Sequence, residues 1–258
     1  MYPLINIFGF EIQTYSVMAV IGFVLTAVLA LNLGKRRNIP TETSLMVTFI
    51  SAFGIFLGGH FLFALTNLQN IVKLISSGNF SFSTLMPYIS GMVFYGGLFG
   101  AVVAVFLYTA KNKDVKRSDV FDVFAVSVPF FHIFGRIGCF LAGCCYGVES
   151  DFGITTYLNT SATHYGVSRF PVALVEAFIN LLIFILIVSF FKRNKLKGKL
   201  VFIYLIIYAP ARFALEFFRG DIIRGFIFGL STSQFISLLI ISFICIYFLV
   251  LYIKKKSK

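Results

Sequence analysis

Seven apolar runs, near residues 14–34, 45–66, 91–110, 119–134, 172–191, 199–215 and 234–253, dominate this chain. A helix needs about 20 apolar residues to cross a bilayer. Backbone polar groups find no water in hydrocarbon, so only helices and closed barrels can span it. Runs of this length predict an all-α polytopic membrane protein with about seven transmembrane helices and a small extracytoplasmic head segment. The fourth and sixth runs are short and end where motif residues begin, which predicts that each stops partway at a polar cavity. Composition agrees: 59% of residues are hydrophobic and 12% are charged, against about 25% charged in soluble domains. Residues 1–258 read as a single integral membrane domain, with an outer amphipathic segment at 67–90 and an outer head or lid at 148–171. The first 15 residues carry neither a basic stretch nor a small-residue cleavage site, so no signal peptide is expected.

The net charge of +12 invites a nucleic-acid reading, which the distribution of the charge rejects. Lys35, Arg36 and Arg37 follow the first run; Lys111, Lys113, Lys116 and Arg117 follow the third. Lys192, Arg193, Lys195, Lys197 and Lys199 follow the fifth, and Lys254, Lys255, Lys256 and Lys258 the seventh. Basic residues on alternate connections mark the cytoplasmic side, which places the N-terminus outside and the C-terminus inside. The remaining basic residues, Lys73, Arg136, Arg169, Arg212, Arg219 and Arg224, fall at or near the outer side. Topology does not require them there, and five are arginine, whose planar fork suits bidentate phosphate binding. They are functional candidates, and a phospholipid head group is the expected ligand.

Residues 135–147, Gly-Arg-Ile-Gly-Cys-Phe-Leu-Ala-Gly-Cys-Cys-Tyr-Gly, hold the most informative of them. An arginine near hydrocarbon costs roughly 2.5–3.5 kcal/mol on insertion scales, so Arg136 needs a partner. The surrounding glycines are expected to bring backbone N–H groups to an anion. The competing reading makes Arg136 structural glue, paired to Glu149, Asp151 or Glu216. Cys139, Cys144 and Cys145 lie close together without the spacing of a CxxC pair, and His132 alone among three histidines is near. No metal site and no cofactor are expected; small packing residues or a redox pair both fit these cysteines.

Three further elements complete the candidate set. Gly91–Gly100 opens the third run, with Gly96, Gly97 and Gly100 forming a thin helix face. That face suits close helix packing or a cavity into which Tyr95 projects. In Arg212-Phe-Ala-Leu-Glu-Phe-Phe-Arg219, Arg212 and Glu216 share a helical face, and Glu216 and Arg219 can also meet. A carboxylate flanked by two guanidiniums reads either as a helix-end ion pair or as a device that holds both arginines for an anion. Tyr15 starts the first run as an aromatic-belt residue or a ligand contact, and His60 follows Gly58-Gly59 in the second.

At these residues the chain resembles the prolipoprotein diacylglyceryl transferase family. Tyr15 begins the first span; Phe94-Tyr95-Gly96-Gly97 stands for a Phe-His-Gly-Gly segment. Gly135 to Gly143 follow a Gly-Arg-(Ile/Leu)-Gly-Asn-Phe-x-Asn-Gly-Glu signature, and Arg212 to Arg219 an Arg-x3-Glu-Phe-Phe-Arg segment. The resemblance implies transfer of the diacylglyceryl group of phosphatidylglycerol to the lipobox cysteine of a prolipoprotein signal peptide, at the outer face of the bacterial cytoplasmic membrane. It implies Tyr95, Arg136, Arg212 and Glu216 as catalytic residues. It implies Tyr15, His60, Gly96, Gly97, Arg136, Cys139, Gly143, Cys144 and Arg219 as contacts to phosphatidylglycerol. The chain departs from the pattern where Tyr95 replaces the motif His, Cys139 and Ala142 replace two Asn, Cys144 replaces a Glu, and His60 stands where an Arg is usual. Two alternatives therefore stay open: a phosphatidylglycerol-dependent transferase with another acceptor, and a non-catalytic phospholipid-binding membrane protein.

Overall fold

The computed structural model describes residues 2–7, 9–78, 80–155, 166–221 and 226–256. Arg224 and the middle of the expected head, residues 156–165, lie outside the described residues. Seven helices are long and apolar enough to cross a membrane. They are α1 (Thr14–Arg36), α2 (Thr41–Thr66), α5 (Phe94–Lys111), α6 (Arg117–Ala142), α7 (Val172–Lys192), α8 (Leu200–Leu215) and α9 (Thr232–Lys256). Two short helices, α3 (Leu68–Ser76) and α4 (Phe82–Ile89), form the segment between α2 and α5. Three antiparallel two-stranded ribbons complete the described structure: β1 (Leu4–Ile7) with β2 (Phe10–Gln13), β3 (Glu149–Thr155) with β4 (Ser168–Arg169), and β5 (Phe226–Ile227) with β6 (Leu230–Ser231).

The fourth span differs from its expectation. It does not stop near residue 134: α6 continues through Arg136 and Cys139 to Ala142, with Pro129 inside it. Gly135 and Gly138 are therefore helical, and their N–H groups belong to the helix rather than to an open anion-binding loop. Gly138 makes room for a neighbour instead, since a Cβ there would lie 3.1 Å from Met18 and 3.3 Å from the Tyr15 ring. The helix ends at Gly143 in the left-handed conformation (φ 75°), the backbone region that favours glycine at a helix C-terminus. The sixth span ends close to its expected boundary, and residues Glu216–Phe218 tighten into one 3₁₀ turn.

The chain forms two compact units, residues 30–121 and the remainder. In the unit of residues 30–121, α2 and α5 cross with almost no side chain between them. A Cβ on Gly58 would sit 2.3 Å from the Gly96 carbonyl oxygen, and one on Gly100 would sit 2.2 Å from that of Gly54. Small-xxx-small faces of this kind let helix backbones touch and gain dispersion contacts where lipid supplies no hydrophobic force. Arg37 of this unit, which the sequence offers as a topology marker, is buried with Nε 4.0 Å from Asp119. Between α3 and α4, Ser81 and Thr84 build a reciprocal capping box that starts α4.

In the other unit, α7, α8 and α9 pack as neighbours in sequence order. Its interior holds Val126, Val172, Ile183, Ile187, Phe191, Leu200, Tyr204 and Tyr208. Asp122, fully buried, accepts the backbone N–H of Gly198 at 2.7 Å and of Leu200 at 3.4 Å, and so ties the start of α8 to α6. Large apolar side chains such as Phe178, Leu182 and Phe243 are exposed, as faces turned to hydrocarbon must be.

Candidate active site

Three helices present polar residues at i, i+4 spacing, which stacks them on one face. On α6 these are His132 and Arg136, on α7 Glu176 and Asn180, and on α8 Tyr204, Tyr208, Arg212 and, one turn on, Glu216. His132, Arg136, Tyr208 and Arg212 converge on the Glu176 carboxylate. Its Oε1 accepts from the Tyr208 hydroxyl at 2.8 Å and from Arg136 Nη2 at 3.1 Å. Its Oε2 lies 3.4 Å from Arg212 Nη1. The other terminal nitrogen of Arg212 reaches Glu216 Oε2 at 2.8 Å and the Ser233 hydroxyl of α9 at 3.1 Å. Arg136 Nε donates to His132 Nε2 at 3.1 Å. That nitrogen must be an unprotonated acceptor, so His132 is the neutral tautomer with its proton on Nδ1. The Asn180 amide donates to the Glu176 carbonyl oxygen at 2.8 Å.

This cluster is buried: Glu176 is 1% exposed, Arg212 4% and Arg136 7%. Removing one member of a buried charged set leaves its partner uncompensated, at about 3–5 kcal/mol. The arrangement therefore fixes both guanidiniums in place before any ligand arrives. The glue expected for Arg136 from Glu149, Asp151 or Glu216 is supplied instead by Glu176, because α7 enters beside α6 at that level. Glu216 pairs with Arg212 as expected from the spacing. Just past the 3₁₀ turn, the largely buried Arg219 guanidinium grips Asp221 in a bidentate pair, at 3.0 and 2.6 Å.

A backbone rim borders the same unit. Gly147 bridges Arg219; Val148 donates to the Phe218 carbonyl oxygen at 3.0 Å and Gly220 to that of Tyr146 at 3.0 Å. A Cβ on Gly147 would lie 2.2 Å from the Phe170 carbonyl oxygen, so the rim closes only around glycine. Arg169 lies over the Tyr146 ring at 4.8 Å, donates to Gly147 at 3.2 Å and meets Glu149 at 3.5 Å. A cavity beside this rim is lined by Cys144, Cys145, Tyr146, Arg169 and Phe170, among others. Cys139, at the end of α6, comes together with Cys144 and Cys145: their sulfurs all lie within 4.8 Å of one another. Hydrogen bonds from Cys139 and Cys144, then the Arg136 and Arg219 guanidiniums, pull the Cys145 thiol well below its ordinary range despite burial. The same thiol contacts push Cys144 upward.

The structure thus brings together Tyr15, Arg136, Cys139, Gly143, Cys144, Arg212, Glu216 and Arg219 within one unit. Tyr95, Gly96, Gly97 and His60 belong to the unit of residues 30–121. There Tyr95 is buried at 4% exposure. Gly96 packs against the Gly58 backbone and Gly97 against Ile55. His60 Nδ1 lies 2.9 Å from the carbonyl oxygen of Gly91 and 3.2 Å from that of Ile89, and so pins the turn that precedes α5. Glu176, Tyr208 and Ser233 are absent from the set read off the sequence, and His132 entered it only as a neighbour of the cysteines. The signal for Glu176 was present. It is an acid inside the apolar run 172–191 with an amide one turn later, where hydrocarbon tolerates neither without a partner.

The sequence profile of the family described as prolipoprotein diacylglyceryl transferase matches residues 3–251. The chain is 31% identical over 237 residues to a phosphatidylglycerol–prolipoprotein diacylglyceryl transferase of Clostridium tetani, covering 91% of each chain. It is 33% identical over 238 residues to a second such enzyme, of Clostridium perfringens, covering 92% of this chain and 90% of the relative. A relative of the same name from Campylobacter lari is 30% identical over 268 residues, covering 98% and 93%. A profile that reaches all seven spanning helices and relatives this similar over 90% or more of their length leave one conclusion: the chain belongs to the prolipoprotein diacylglyceryl transferase family.

Proposed function

We propose that the protein moves the diacylglyceryl group of phosphatidylglycerol onto the thiol of a lipobox cysteine in a prolipoprotein, at the outer face of the cytoplasmic membrane. The observation that carries this reading is the pair of buried guanidiniums, Arg136 and Arg212, held 3.1 and 3.4 Å from one carboxylate in a seven-span member of this family. In the reaction the cysteine sulfur attacks the glyceryl carbon and forms a C–S bond. The C–O bond to phosphate breaks, and the thiol proton ends on the released glycerol phosphate. Charge builds on the departing phosphate oxygen, and fixed donors aimed at developing charge supply the largest share of many rate enhancements.

Arg136 and Arg212 are assigned to that oxygen and its phosphate. Arg136 spends Nε on His132 and Nη2 on Glu176, so its Nη1 takes part in neither contact. Glu176 and Glu216 orient the guanidiniums, and Tyr208 holds Glu176. Tyr95, at the position of the motif His, is assigned to the thiol. Tyr15, His60, Gly96, Gly97, Cys139, Gly143, Cys144 and Arg219 remain the proposed contacts to the lipid. The alternation of basic connections supports an N-terminus outside and a C-terminus in the cytoplasm.

The test is transfer from labelled phosphatidylglycerol to a lipobox peptide by detergent-solubilised full-length protein, read as the thioether product by mass spectrometry. Arg136→Ala and Arg212→Ala should each lower the rate about 10²–10³-fold, the loss of an anion-hole donor. Undiminished transfer in both removes the guanidinium mechanism. Turnover of phosphatidylglycerol without peptide modification reassigns the acceptor.

A further inference from the structure

The reaction above asks at most for contact to the lipid from Cys139 and Cys144 and uses none of the three thiols chemically, and their geometry suits a second role. Cys139 lies on the last turn of α6, and the chain then reverses on itself. Cys144 N donates to the Cys139 carbonyl oxygen at 3.1 Å, and the Cys144 thiol approaches the same oxygen at 3.5 Å. Cys145 follows at φ 56°, left-handed for a residue with a Cβ. This reversal gathers all three sulfurs within 4.8 Å of one another although four residues lie between the first two. None of the three is in a disulfide, and the adjacent pair Cys144–Cys145 could bridge only with strain.

A metal–sulfur distance of about 2.3 Å puts the three sulfurs of a trigonal site about 4 Å apart. The observed grouping needs only a small contraction to reach that. Among the described residues no histidine or carboxylate joins the group, so the donor set is three soft sulfurs with no fourth protein ligand. Soft thiolates select Cu(I) and zinc over hard cations. Zinc favours four ligands, so a three-sulfur set favours Cu(I).

We propose that Cys139, Cys144 and Cys145 form a three-thiolate site for a soft monovalent cation, Cu(I), at the end of α6. As each sulfur takes up the metal its S–H proton passes to solvent, and no change of oxidation state occurs. Cys245, exposed on α9, stands outside the site. Because Arg136 begins the same helix turn, metal at this site also sets the charge beside a residue assigned to the lipid phosphate.

The experiment titrates detergent-purified, reduced, full-length protein anaerobically with Cu(I) held by a competing chelator such as bicinchoninate. One equivalent of Cu(I) should leave the chelator for the wild type and for Cys245→Ser. Cys139→Ser, Cys144→Ser and Cys145→Ser should each weaken binding by more than the roughly 10–100-fold that changes beyond the ligand shell cost. Thermal melting of each variant checks that it is folded. Alkylation read by mass spectrometry gives a second measure. Cys144 is exposed outside the spanning helices, so it should react in the apo protein, while Cu(I) should protect it. Equal Cu(I) uptake by a variant lacking all three cysteines overturns the proposal. So does binding that survives loss of any one of them in a folded variant. A Cys139–Cys144 disulfide throughout protein trapped with a thiol-blocking reagent overturns it as well.

Discussion

Two regions of this protein solve the same problem in opposite ways. Apolar helices in a bilayer gain nothing from hiding their side chains from lipid, so something else must hold them together. Between α2 and α5 the answer is subtraction: Gly54, Gly58, Gly96 and Gly100 bring backbone against backbone. Among α6, α7, α8 and α9 the answer is charge: Glu176 accepts from α6 and from α8, and Arg212 carries the link on to Ser233. The glycine contact is chemically silent. The charged one places two arginines on the inside of a membrane protein, and the phosphate assignment proposed above gives them a use beyond joining helices.

The contrast can be broken at its strongest point first. Glu176→Leu should destabilise by about 3–5 kcal/mol, since two guanidiniums lose their shared carboxylate in a buried setting. The measurement is a thermal or graded-detergent unfolding curve, with transfer lost in the same variant. The quadruple change Glu176→Leu, Arg136→Leu, Arg212→Met, Glu216→Leu should recover much of that stability, because apolar replacement of a whole buried set is often neutral. It should recover no activity. Recovery of both would reduce the charges to glue.

Tyr208→Phe removes one hydrogen bond to the carboxylate and should cost about 1.5–3 kcal/mol in the same assay. On the glycine side, Gly58→Ala must push a methyl into the Gly96 carbonyl, and should lower stability by about 1–3 kcal/mol, the range for overpacking. The smallest effect distinguishes packing from function. A Cβ on Gly135 would meet nothing within 4 Å, so Gly135→Ala should leave stability unchanged or raise it by about 0.5–1 kcal/mol, as for helical glycine in general. If that variant melts normally yet transfers slowly, Gly135 faces the lipid substrate.

The number and type of spans were legible because apolar length is a one-dimensional property: the run at 172–191 became α7, Val172–Lys192. Where α6 ends was not legible. Gly135 and Gly138 suggest a break by composition, but a helix tolerates glycine when a neighbour such as the Tyr15 ring fills the gap. Arg136 and Arg212 were legible because a cation in an apolar run demands explanation. Glu176 demanded it equally, yet it lies early in a run whose apolarity dominates any window average. Which carboxylate serves Arg136 depends on which helix lies beside α6, and sequence spacing along one helix carries no such information. The gathering of Cys139 with Cys144 and Cys145 likewise depends on left-handed residues at Gly143 and Cys145, of which only the glycine announces itself.

Asp122 and Arg136 lie on one helix, fourteen residues or about 21 Å apart at 1.5 Å per residue. One is moored to the amides of Gly198 and Leu200, the other to Glu176. A piston stroke of even a single residue would tear both moorings at once. This helix therefore behaves as a fixed ruler laid across the hydrocarbon. Admission of a two-tailed substrate that leaves these moorings intact takes place without a lengthwise shift of this helix.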